Sequence, residues 1–208
     1  ASMREVWSRD ALTASDLERQ LGRSVRFLGN PFLDPVAQET MPLSVPLSDP
    51  GLPGCPSLAL LPGSRLPAAL RNLERLLRVL ALLPLRLRQP HRLTLRAALV
   101  GDLRPEAIAG LAGPLGWQLE TADPGRSEDD APALVREGQR LQLHWDRYAA
   151  VLGGADLVLA MTGTAAEQAV GLGKPVLQVV GEGPQFTEGF AEAQRRLLGP
   201  GVFCADGP

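Results

Sequence analysis

The chain reads as an α/β protein built on a parallel, doubly wound sheet with helices on both faces. Two observations predict this. Short apolar runs alternate with helix-forming segments along most of the 208 residues, the pattern of repeated βαβ units. Two of those runs end abruptly at glycine-containing turns that open directly into helices. One is Ser57-Leu-Ala-Leu-Leu61, which empties into Pro62-Gly63-Ser64-Arg65; the other is Leu157 to Met161, which stops at Thr162-Gly163-Thr164. In a parallel sheet such turns fall at the carboxyl edge of the strands, where α/β proteins bind ligands.

Each element follows from its residues. Residues 9–22 form a short helix that Gly22 stops, and residues 25–28 form a strand that Asn30-Pro31 ends. Residues 35–56 are a linker, marked by Pro42, Pro46, Pro50, Gly51, Pro53 and Gly54. Strand 57–61 leads to helix 66–83, whose leucines at 70, 73, 77 and 80 make a helical stripe. Strand 93–100 leads to helix 105–112, where Pro105 suits a first helical position. Residues 117–120 are a strand, 121–131 a polar loop, 141–144 a short strand and 146–152 a helix. Strand 157–161, helix 165–172, strand 176–180, helix 187–198 and strand 202–204 complete the alternation.

The turn chemistry carries the functional reading. A helix start presents free backbone N–H groups and a positive dipole end, which suit an anion. Gly63 lets the backbone approach a ligand, Ser64 can cap the following helix, and Arg65 places a guanidinium where phosphate could be held bidentately. Gly163 and Thr164 most simply start a helix; at a strand end they also fit phosphate or ribose contacts, with Thr162 beside them. Glu167 lies in that helix's first turn, where a carboxylate either favours the dipole or accepts hydrogen bonds from sugar hydroxyls. Gly101-Asp102 follows strand 93–100 on the same edge, with Asp102 as a helix cap. Gln185 follows strand 176–180 through Gly181-Glu-Gly-Pro184 and reaches the same edge. Trp145 could stack on a base, though a tryptophan beside a short strand more often serves the core.

Composition excludes several classes. Hydrophobic residues make up 45% and charged residues 21% of the chain, enough for a core in a globular protein, and a net charge of −2 argues against general nucleic-acid binding. Cys55 and Cys204 lie far apart without metal or redox spacing and read as reduced thiols. His91 and His144 have no companion ligands, so no metal or other cofactor is expected. The run from Leu76 to Leu87 is broken by Arg78, Pro84 and Arg86, too short and too charged to span a bilayer. The arginines at 86, 88, 92 and 96 read as a solvated face, with contact to anionic lipid headgroups as the alternative.

Phe27-Leu-Gly-Asn-Pro-Phe-Leu-Asp34, Leu60-Leu-Pro-Gly-Ser-Arg65 and Gly163-Thr-Ala-Ala-Glu167 resemble lipid-A-disaccharide synthase. Gly171-Leu-Gly-Lys-Pro-Val176, Gly183-Pro-Gln-Phe-Thr187 and Phe190-Ala-Glu-Ala-Gln194 are more similar to the lipid-A-disaccharide-synthase-related group of GT-B glycosyltransferase-like proteins. The resemblance covers roughly residues 25 to 204 and implies a Rossmann-like C-terminal, nucleotide-sugar-binding half of a GT-B fold. Residues 1–34 would then be a helix–strand unit from the end of the preceding domain, 35–56 the linker and 57–208 the donor-binding domain. It implies a UDP-sugar donor such as UDP-N-acetylglucosamine, with Glu167 on the ribose and Gln185 on the donor sugar. It also implies a lipid-like or other acceptor bound mainly by an absent N-terminal domain, which would supply the general base. The resemblance implies a cytoplasmic protein, with peripheral contact at the membrane face left open. Ala1-Ser-Met3 reads as vector-derived or as the start of a fragment, which would be inactive alone. Two departures bear on activity: the synthase has His-Pro where Asn30-Pro31 stands, and its helix glutamate falls at Gln168. A UDP-sugar epimerase and a non-catalytic nucleotide-sugar-binding module remain open alternatives.

Overall fold

The structure, a computed structural model, describes residues 3–32, 55–89, 92–121, 131–179 and 188–205. Eight strands form one sheet: β1 (Ser57–Leu61), β2 (Thr94–Leu99), β3 (Gln118–Glu120), β4 (Ala133–Arg136), β5 (Gln139–Trp145), β6 (Leu157–Ala160), β7 (Val176–Gln178) and β8 (Val202–Cys204). Their order is β3-β4-β5-β2-β1-β6-β7-β8. The run from β5 to β8 is parallel throughout. Counted among themselves, those six strands follow the order 3-2-1-4-5-6 of doubly wound, Rossmann-like folds, in which the winding reverses between the first strand and the fourth. Here that reversal lies between β1 and β6.

The sheet is not wholly parallel, which corrects the expectation. β4 pairs antiparallel with both β5 and β3, adding a meander at one edge. β4 falls between the expected polar loop and strand, and a two-residue turn joins it to β5. Glu137 (φ 47°) and Gly138 (φ 84°) both adopt the positive φ that a tight hairpin turn demands.

Seven α-helices are described: α1 (Ala11–Leu21), α2 (Ala68–Ala81), α3 (Leu85–Arg88), α4 (Pro105–Ala112), α5 (Tyr148–Gly153), α6 (Thr164–Gly171) and α7 (Glu188–Leu198). Sheet periodicity divides the core between two faces. Leu58 and Leu60 of β1 meet Leu73, Leu76, Leu77 and Leu80 of α2 and Ile108 of α4. Ala59 and Leu61 face the other way, toward Val151 and Leu152 of α5 and Ala166 and Ala169 of α6. The four α2 leucines are fully buried, and each contributes about 1.5–3 kcal/mol by burial. All five residues of β1 are buried, as a central strand covered on both sides requires.

Three further expectations change. Residues 25–28 do not form a strand; a single parallel bridge joins Trp7 and Arg26. Asp102 does not cap α4, whose N-cap position is Arg104 with no side-chain bond. Arg96 is not on a solvated face: it is 2% exposed and donates from Nη1 to Ser57 Oγ at 3.0 Å and from Nε to Gln142 Oε1 at 3.2 Å. Arg88 is paired with Glu137 at 3.1 Å. Among the described residues no helix is long and apolar enough to cross a membrane.

Residues 3–32 form a small unit with its own ties. Asp10 caps α1 by accepting from the Thr13 amide at 2.7 Å, and Gly22 ends the helix in the left-handed region at φ 62°. The Val25 amide donates to Glu18 Oε1, and Arg23 donates to the Met3 and Arg4 carbonyls. Of the expected linker, 35–56, residues 35–54 lie outside the described residues.

Candidate functional site

Register brings the two glycine turns together. Leu61 of β1 stands opposite Ala160 of β6, and the Met161 amide donates to the Leu61 carbonyl at 3.0 Å. The residues that follow, Pro62-Gly63-Ser64-Arg65 and Thr162-Gly163-Thr164, therefore leave the sheet side by side at the point where the winding reverses. Between them opens a cleft of about 670 Å³, within the usual size of a small-molecule site. Gly63, Ser64, Arg65, Thr162, Gly163, Thr164 and Glu167 all line it, as do Ala98 and Leu99 at the end of β2 and Val100 just after it.

Gly63 has φ 107°, a conformation that side chains rarely adopt. A Cβ there would stand 3.6 Å from Thr162 Cγ2 and 3.8 Å from the Met161 carbonyl oxygen. The glycine is needed for its backbone angle more than for space. Ser64 does not cap α2, which begins at Ala68 after Pro67 with no side-chain cap; the Arg65 carbonyl instead accepts from the Ala69 amide at 2.8 Å. Ser64 and Arg65 are both exposed to the cleft mouth. α6 likewise starts without a side-chain cap, at Gly163. Two helix amino ends thus face one cavity without the carboxylate or hydroxyl that ordinarily satisfies them.

Polar atoms in the cleft wall are incompletely used. Asn72, buried on the leucine face of α2, donates from Nδ2 to the Pro62 carbonyl at 2.9 Å and so braces the first turn. Its Oδ1 and the Thr162 hydroxyl are buried without a partner among the described residues. Behind the second turn, Gln194 of α7 donates from Nε2 to the Gly163 carbonyl at 3.0 Å. Gln194 in turn accepts from the buried Gln178 of β7. Sequence reasoning gave no site role to Asn72, Gln178 or Gln194; the amide at position 72 inside an otherwise apolar stripe, and the motif that Gln194 ends, were the available signals.

Glu167 is 6% exposed and already engaged. Arg9 Nη1 lies 3.2 Å from its Oε1, and Asn30 Nδ2 donates to its Oε2 at 3.1 Å. Gln168 beside it donates to the Phe32 carbonyl and accepts from the Tyr148 hydroxyl, both at 2.9 Å. The start of α6 is therefore where the small amino-terminal unit is tied to the sheet. Arg9, Asp146, Tyr148 and Phe190 also line the cleft; the sequence reading gave none of the four a site role, although Phe190 opens one of the motifs it quoted. Asp146 has φ 54°, a value acidic side chains tolerate better than most.

Two expected site residues stand apart. Gly101 is exposed one position beyond Val100 and does not line the cleft; Gln185 lies outside the described residues. Trp145, partly buried, packs against the core and donates from Nε1 to the Leu103 carbonyl at 2.8 Å. His144 is buried, and its imidazole is held down at about 4 by burial, with Arg96 and Arg147 adding to the effect. Among the described residues no cluster of three or more metal-ligating side chains occurs. The chain matches no protein-family model and no curated protein.

Proposed function

We propose that the cleft holds a nucleotide sugar, UDP-N-acetylglucosamine or a relative, and that the chain is the donor-binding half of a GT-B glycosyltransferase akin to the lipid-A-disaccharide-synthase-related proteins. One observation carries the reading: two uncapped helix amino ends, α2 and α6, converge with Arg65 on a cavity at the reversal point of the sheet. A diphosphate there would accept backbone N–H bonds from both turns and charge-assisted bonds from the guanidinium. These same donors would stabilise the negative charge that grows on the leaving diphosphate during transfer. Of the residues quoted for the resemblance, Leu61 to Arg65, Gly163 to Ala165, Glu167 and Phe190 line the cleft.

The acceptor and the general base belong, on this reading, to a second domain across the cleft. Calorimetric titration with UDP, uridine, UDP-N-acetylglucosamine and other nucleotide sugars tests it. Saturable binding of UDP-sugars with UDP tighter than uridine is the expected result. A chain that binds none of them is not a donor domain. Binding without transfer in any longer protein that contains the domain would favour the non-catalytic module, and sugar inversion at carbon would favour the epimerase.

A further inference from the structure

Among the described residues, the amino-terminal unit reaches into the cleft through Arg9. Arg9 sits immediately before Asp10, whose side chain caps α1 through the Thr13 amide and hydroxyl, so its backbone is fixed by the start of that helix. On the other side, Ser8 donates from its amide to the Arg26 carbonyl at 2.8 Å. The Arg9 side chain is 46% exposed, lines the cleft and uses one nitrogen, Nη1, on the buried Glu167. A guanidinium has five donors in a fixed plane, and one bond to a carboxylate leaves the others available. Glu167 lies in the first turn of α6, so the arginine it holds stands beside the amino end of that helix. The Thr162 hydroxyl in the same wall, a donor, has no partner among the described residues.

We propose that Arg9 is a second anion-contacting cation of the cleft, and that Glu167 is its positioning residue rather than a ribose contact. Arg65 enters from the β1 turn and Arg9 from the amino-terminal unit, so an anion at the two helix starts is flanked from both sides. Residues 3–32 are then part of the site. The assignment rests on the donor reading only for the nature of the anion; the pairing itself concerns any phosphate-bearing ligand.

Titration of the intact chain with UDP, uridine and inorganic pyrophosphate, at low and high salt, tests it. Arg9→Ala should weaken UDP and pyrophosphate at least fivefold and leave uridine within twofold, with the UDP loss shrinking as salt rises. Arg9→Lys should recover part of the affinity. In a Glu167→Gln background, where Arg9 is no longer held by a charge, Arg9→Ala should change UDP binding less than twofold, and Glu167→Gln alone should leave uridine unchanged. Arg9→Gln replaces the alanine variant if that one does not fold, as judged by its thermal melt. Parent-like UDP binding by the Arg9 variants overturns the proposal and leaves the donor reading standing. An equal Arg9→Ala loss in both backgrounds, or a uridine loss in Glu167→Gln equal to its UDP loss, overturns the role given to Glu167. Pyrophosphate binding that depends on Arg9, without nucleotide binding, supports this assignment and sinks the donor reading. A parent chain that binds none of the three overturns both.

Discussion

Gln194 donates a 3.0 Å hydrogen bond to the Gly163 carbonyl, and so ties helix α7 to the turn that begins α6. The bond matters because Gln194 also accepts from Gln178, which donates weakly to the Thr162 carbonyl at 3.4 Å. Two side-chain amides, each about 5% exposed or less, thus hold both carbonyls of the Thr162-Gly163 turn.

Gln194→Leu should therefore destabilise the fold and loosen the cleft together. Removing one partner leaves the buried Gln178 amide short of a bond, a loss of about 1–3 kcal/mol. Urea denaturation of the variant checks this. Unchanged stability would mean that the amide pair contributes nothing net.

A backbone constraint governs the opposite turn. Gly63→Ala should cost about 1–3 kcal/mol because φ 107° is strained for any side chain, and it should weaken ligand binding by shifting the Ser64 and Arg65 amides. Gly101→Ala is the control: a Cβ there meets nothing within 4 Å, so the change should stay within about 0.5 kcal/mol. Equal effects at the two positions would remove the argument from the Gly63 conformation.

The central strands were legible because burial on both faces leaves a plain apolar run, as in Ser57 to Leu61 and Leu157 to Met161. β4 was not, because its turn is Glu137-Gly138 rather than the Asn-Gly or Asp-Gly that marks a hairpin. Arg96 was misread for a related reason. A charged residue in a strand pattern suggests a wet face, and it is tertiary partners, Ser57 and Gln142 among them, that make its burial tolerable. At the site, local signals located the turns of Gly63 and Gly163, since the chain itself writes strand, glycine and helix in order. What Glu167 touches was invisible: Asn30 lies 137 residues away in sequence, and such pairings follow from docking, not from any local pattern.

Acid should destabilise the protein through His144. Its folded value of about 4 lies below the unfolded 6.5. Between those values the unfolded chain binds a proton that the folded chain excludes, so stability present above pH 6.5 is lost as pH falls toward 4. The slope from this one group cannot exceed about 1.4 kcal/mol per pH unit. Denaturation midpoints of the parent and of His144→Phe across pH 4 to 7 check it: the variant's dependence should be shallower. Parallel curves would show that the imidazole protonates freely in the folded state.

Arg65→Ala is the most direct probe of the donor reading. The residue is exposed at the cleft mouth, where its carbonyl supports α2 through the Ala69 amide and its side chain bears the charge. Substitution leaves the backbone bond intact, so stability should change by no more than about 0.5 kcal/mol. Binding should change selectively. Loss of charge-assisted bonds to a diphosphate amounts to about 1.5–3 kcal/mol, so UDP should weaken roughly tenfold or more while uridine holds its affinity. The gap between parent and variant should narrow at high salt, because an exposed guanidinium is screened. Calorimetry with both ligands at two ionic strengths reads all three effects. Equal weakening of UDP and uridine would mean that Arg65 shapes the turn rather than meeting phosphate, and an unchanged UDP affinity would move the diphosphate away from this edge of the sheet.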